Sequence, residues 1–148
     1  MSGGGPVQVV VIEDNAADVE LILRALKSHR LANQVAVLRD GAEALERLLP
    51  SAEAGPPTLL TPRVILLDLK LPKVDGLEVL KRMRADARTR LQPVVVLTTS
   101  NEERDVIASY KLGANSYIRK PVDFEQFMDA VRQLGLFWLV LNVPPPRS

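Results

Sequence analysis

The chain has no cysteine, no imbalance of charge and no long apolar run, and each absence removes a class of function. Without cysteine there are no disulfides, thiolate metal sites or cysteine nucleophiles, which suits a reducing compartment and gives an expectation of a cytoplasmic protein. Nineteen basic residues against eighteen acidic ones leave a formal charge of +1. The two signs are interleaved, so neither nucleic acid nor an anionic membrane is an expected partner. No segment approaches the roughly 20 apolar residues of a membrane span, and the start, Met1 to Pro6, lacks the pattern of a signal peptide. There is one histidine, His29, at an expected helix end, where it is read as solvated; no histidine metal cluster or histidine phosphodonor can be built.

What is present fits one packed domain: 148 residues, 47% of them apolar. We divide the chain into a flexible leader over 1–6, a domain over 7–135, and an apolar extension with a proline-rich end over 136–148. Within the domain, apolar runs alternate with amphipathic stretches, the pattern of βα units on a mostly parallel sheet. Five units follow. Expected strands cover 7–12, 34–38, 64–67, 94–97 and 116–119. The first helix spans 16–28, capped by Asn15, with Val19, Ile22, Leu23 and Leu26 on one face. Asp40-Gly41 turns into a helix over 42–49, with Ala44, Leu45, Leu48 and Leu49 inward, and Pro50 stops it. Residues 51–62 read as a surface loop. A helix over 77–85 turns Leu77, Leu80 and either Met83 or Arg84 inward. Ser100 and Glu103 have capping-box spacing for a helix reaching Leu112, which Gly113 ends. The last helix is capped by Asp123 and carries Phe124, Phe127, Met128, Val131 and Leu134 on its face.

Buried parallel strands of an open α/β sheet place ligand sites at their carboxyl ends. Glu13 and Asp14 follow the first such run and Asp68 the third, so three acids are expected in one crevice. Carboxylates ~5 Å apart repel by ~3 kcal/mol per pair at an effective dielectric near 20, so the cluster needs a cation. Hard oxygen donors with a nearby amine, Lys120, point to magnesium and a phosphoryl group.

In the order Glu13-Asp14, Asp68, Pro72, Asp75-Gly76, Thr98 and Lys120-Pro121, with Thr98 30 residues and Lys120 52 residues after Asp68, the chain resembles the receiver domains of two-component response regulators, CheY-like proteins. The resemblance implies a doubly wound, flavodoxin-like α/β fold whose five-stranded parallel sheet has the order 2-1-3-4-5, with helices on both faces. It makes Asp68 the acceptor of a phosphoryl group from a sensor histidine kinase. It assigns Glu13, Asp14, Asp68 and the backbone carbonyl of Lys70 to Mg2+, with Mn2+ as an alternative. Thr98 and Lys120 would engage the phosphoryl oxygens, Tyr117 would move inward when Thr98 is engaged, and the Lys120-Pro121 bond would be cis. The chain would catalyse at most its own phosphorylation and dephosphorylation. The long 51–62 loop and the aromatic tail look like regulators that accompany bacterial phytochromes, which implies a bacteriophytochrome kinase as partner. Phe137, Trp138, Leu139 and Leu141 extend apolar surface past the domain, and we expect them to meet a second copy in a homodimer.

Two other classes compete. Haloacid-dehalogenase-type phosphatases also use an aspartyl phosphate, but need a second acid two residues after the nucleophile, where Lys70 stands. A flavodoxin-like flavin carrier would need a phosphate-binding first loop, which Glu13-Asp14 would repel. A receiver-like scaffold that never takes phosphate is the remaining alternative.

Overall fold

A computed structural model describes residues 7–27, 35–49, 60–99, 102–120 and 124–136. Ten elements alternate: β1 (Val9–Ile12), α1 (Ala16–Lys27), β2 (Val35–Leu38), α2 (Gly41–Leu48), β3 (Val64–Leu67), α3 (Gly76–Ala85), β4 (Val94–Thr98), α4 (Glu103–Lys111), β5 (Ser116–Arg119) and α5 (Phe124–Leu136). All strand pairs are parallel and the order is β2-β1-β3-β4-β5, as the resemblance implied.

The side-chain alternation of a strand sends successive residues to opposite faces, and here both faces are covered. Val10, Ile12, Ile65, Leu67, Val94 and Val96 pack on one side with Ala44 and Leu48 of α2 and Val79, Leu80 and Met83 of α3. Val9, Val11, Val64, Leu66, Val95 and Leu97 pack on the other with Ile22, Ala25 and Leu26 of α1, joined by Met128 of α5. This two-sided burial is why the three central strands read as unbroken apolar runs. The edge strands β2 and β5 are only half-buried over most of their length.

Helix starts follow local chemistry. Asn15 Oδ1 accepts from the Asp18 N–H at 3.0 Å, as expected of a cap, while Asp40 and Asp75 accept from the Glu43 and Glu78 N–H groups at 2.7 and 3.0 Å. Gly41 and Gly76 are the first residues of their helices because backbone crosses there: a Cβ at Gly41 would lie 1.7 Å from the Val74 carbonyl oxygen, and one at Gly76 2.3 Å from that of Asp68. Gly113 has φ +80°, the left-handed conformation of a helix terminator.

Several expectations need correction. The fourth helix starts at Glu103 with Glu102 as its cap residue and no side-chain cap bond, so the helix does not begin at Ser100 as the capping box required. β4 runs one residue further than expected, to Thr98. On α1 Ala25 is buried and Leu23 only half-buried, so the buried stripe runs through Val19, Ile22, Ala25 and Leu26 rather than through Leu23. On α3, Met83 is the buried choice. Pro50 and most of the 51–62 loop, Ser100, the Lys120-Pro121 bond, the Asp123 cap, the side chains of Phe124, Phe127, Val131 and Leu134, and the tail residues Phe137, Trp138, Leu139 and Leu141 lie outside the described residues. Among the described residues no helix is long and apolar enough to cross a membrane.

Candidate functional site

The sheet ladder continues one residue past three strand ends and fixes the backbone of the site. Glu13 N–H donates to the Leu38 carbonyl at 2.9 Å, Asp68 N–H to Ile12 at 3.0 Å and Lys120 N–H to Thr98 at 2.7 Å. The Glu13, Asp68 and Lys120 side chains are therefore carried by rigid sheet rather than by a free loop. The β3–α3 loop turns away directly after Asp68, with the Gly76 N–H held by the Leu69 carbonyl at 2.9 Å, and Gly76 makes room for it.

Glu13, Asp14 and Asp68 converge: one carboxylate oxygen from each lies within 4.8 Å of the others. Glu13 and Asp68 are buried and Asp14 is exposed at the mouth. Lys120 is buried too, and Thr98 fully so. The Lys120 Nζ is 2.5 Å from Glu13 Oε1, 2.6 Å from Asp18 Oδ2 and 3.9 Å from Asp68 Oδ2. Asp68 Oδ1 also accepts from the Lys70 N–H at 3.2 Å, and Glu13 Oε2 from the Asn15 N–H at 3.1 Å.

Electrostatics follow from crowding. Burial pushes the Glu13 carboxyl up to about 7 and the charge on Asp68 adds to the rise, while hydrogen bonds from Lys120 and the Asn15 N–H oppose it. Burial alone would lower the Lys120 ammonium, but hydrogen bonds to Asp18 and Glu13 and the charge on Asp68 outweigh it and hold it above its usual range. The Lys120 ammonium thus faces Glu13, Asp18 and Asp68, while Asp14 completes a group of four carboxylates. Three of the four, Glu13, Asp14 and Asp68, form a hard-oxygen donor set of the kind that divalent ions of magnesium or manganese size take.

The structure brings together Glu13, Asp14, Asp68 and Lys120, all named from sequence. Thr98 ends β4, beside β5, and Tyr117 is half-buried against the core face shared by α2 and α3, in register with Val96. Lys70 is exposed on the loop that follows Asp68. Asp18 was missed. It stands in the first turn of α1, three residues after its cap, where its charge reads as ordinary helix-terminus decoration.

Comparison with known proteins identifies the family. Residues 9–132 match the response regulator receiver domain family. The chain belongs to that family. Among curated relatives, the probable methanogenesis regulatory protein FilR2 of Methanothrix harundinacea is 41% identical, covering 95% of this chain and 88% of its own. Response regulator Rcp1 of Synechocystis is 39% identical over 90% of each chain. The solved structure of the Mn2+-bound form of Rcp1 superposes with a TM-score of 0.84 at 38% identity, covering 95% of this chain and all of that one. The phosphorylated cyanobacterial phytochrome response regulator RcpA gives 0.83 at 37% identity, with 96% and 100% coverage. The bacteriophytochrome response regulator RtBRR gives 0.68 at 50% identity, with 96% and 86% coverage. This receiver domain thus sits in a family of regulators rather than of enzymes acting on a separate substrate, and its fold is the one the family pattern led us to expect.

Proposed function

We propose that this receiver domain is a phosphorylation switch in which Asp68 accepts a phosphoryl group from a sensor histidine kinase. The observation that carries the reading is the meeting of Glu13, Asp14 and Asp68 oxygens within 4.8 Å, with the Lys120 ammonium 3.9 Å from Asp68. An oxygen of Asp68 attacks phosphorus, the bond from phosphorus to the donor imidazole nitrogen breaks, and the nitrogen leaves with the electron pair and takes up a proton. The product is an acyl phosphate. Glu13, Asp14, Asp68 and the Lys70 carbonyl are the groups that would hold Mg2+, or Mn2+ in its place. When bound, such an ion neutralises charge between the attacking carboxylate and the phosphoryl oxygens. Lys120 adds a positive charge that can turn to the phosphoryl oxygens, and Thr98 supplies a hydroxyl at the end of β4.

The phosphatase alternative has no support at its key position: the residue two after Asp68 is Lys70, exposed, whose backbone N–H donates to Asp68. A scaffold that never takes phosphate would have little use for three crowded acids. We further propose that Thr98 and Tyr117 pass on the state of the site, that the output is protein contact in the cytoplasm, and that the kinase is of the phytochrome type. The likeness to RcpA and RtBRR supports that pairing. Self-association through Phe137, Trp138, Leu139 and Leu141 is part of the same proposal.

Incubation with acetyl phosphate and magnesium, read by intact mass, tests the reading. Wild type should gain one phosphoryl group; Asp68→Asn should gain none, and chelation of the metal should suppress uptake by at least roughly tenfold. Equal uptake by Asp68→Asn would overturn the assignment.

A further inference from the structure

Lys120 is held by a carboxylate that the phosphoryl-transfer reading does not use. Asp18 Oδ2 lies 2.6 Å from the Lys120 Nζ, a charge-assisted contact shorter than the 3.9 Å to Asp68. Its backbone is pinned by the Asn15 cap, so α1 presents it rigidly. Its side chain is 25% exposed, and it is not among the three acids whose oxygens converge as a candidate metal set.

A lysine ammonium has three donors and no acceptor. Two are committed here, to Glu13 and Asp18, and neither reaches Asp68 at hydrogen-bond length. A divalent ion held by Glu13, Asp14 and Asp68 would compete for the Glu13 carboxylate, but not directly for Asp18. We propose that Asp18 is a positioning residue that tethers the Lys120 ammonium to α1 and competes with the incoming phosphoryl group for it. The inference rests on the reading of Asp68 as phosphoacceptor. Its consequence is that Asp18 sets how readily the end of β5 commits to the phosphorylated site.

The test uses beryllofluoride as the phosphoryl mimic at saturating Mg2+, titrated by isothermal calorimetry. Asp18→Asn keeps size and the backbone cap and weakens the tether; it should bind the mimic about three- to tenfold more tightly than wild type. Asp18→Glu, which restores the charge, should return toward wild type. In a Lys120→Gln background the Asp18→Asn gain should vanish, because Asp18 acts through that lysine. A gain that persists without Lys120 would reflect loss of a negative charge alone and would overturn the proposal, as would unchanged or weaker binding by Asp18→Asn. A wild type that binds no mimic would sink the phosphoacceptor reading as well, whereas a binding wild type with an indifferent Asp18→Asn sinks only the tether.

Discussion

Glu13 carries the strain of the site at the scale of single residues. Its carboxyl ordinarily ionises near 4.5 and is pushed to about 7 in the folded chain. Between those values the folded state binds a proton that the unfolded state has lost, so this group's contribution falls as pH rises across the window. The raised Lys120 ammonium contributes nothing to the slope there, since it stays charged in both states well below its ordinary 10.5. The difference in unfolding free energy between wild type and Glu13→Gln, measured by urea titration in a chelator, should therefore move against wild type from pH 4.5 to pH 7 and level off above. Saturating magnesium should remove the trend, and parallel profiles in the chelator would contradict it. The acids themselves were legible in the sequence because strand ends on a parallel sheet share one rim. Asp18 was not, because a carboxylate in the first turn of a helix has an ordinary explanation and only the reach of Lys120 from the far strand gives it another.

Among the elements, the junction of α3 with the α4–β5 turn depends on one guanidinium. Arg84 donates Nε to the Leu112 carbonyl at 2.7 Å, and its terminal nitrogens to Thr89, Arg90 and Gly113 carbonyls at 3.1 Å. Burial holds its basicity below the usual value, but an arginine remains charged throughout the accessible range. Arg84→Ala leaves those carbonyls without their shared donor, and chemical denaturation should show a loss of about 2 kcal/mol with an unchanged denaturant slope. The sequence offered Met83 or Arg84 as the inner residue of α3. Both point to neighbouring structure, one through apolar burial and the other through carbonyls of a distant turn that no helical period reveals. The start of α4 was misread for a related reason: that helix buries only Ser109 and leaves Ile107 and Tyr110 exposed, so a local cap motif was the strongest signal available. By contrast β3 matched to the residue, β4 ran one residue longer and β1 began two residues later than expected but ended where expected, since burial on both faces writes an unbroken apolar run.

For the whole molecule, strand order was legible only through the family pattern, because five similar βα units do not say which edge each strand joins. Once that order is in place, the two core faces and the acidic rim follow from side-chain alternation. Self-association is the property at this scale that the sequence points to most directly, through the apolar segment after α5. Sizing by sedimentation, with and without beryllofluoride, should show Trp138→Ala more dissociated than wild type by about fivefold or more in dimer affinity. An unchanged dimer would remove the tail from the interface.

The most direct measurement is the position of the phosphoryl group. After incubation with acetyl phosphate and magnesium, borohydride reduction converts an aspartyl phosphate to homoserine, which peptide mass spectrometry locates. Homoserine should appear at residue 68 in a magnesium-dependent manner; its appearance at another acid, or at none while wild type remains folded, would contradict the assignment of Asp68 as the acceptor.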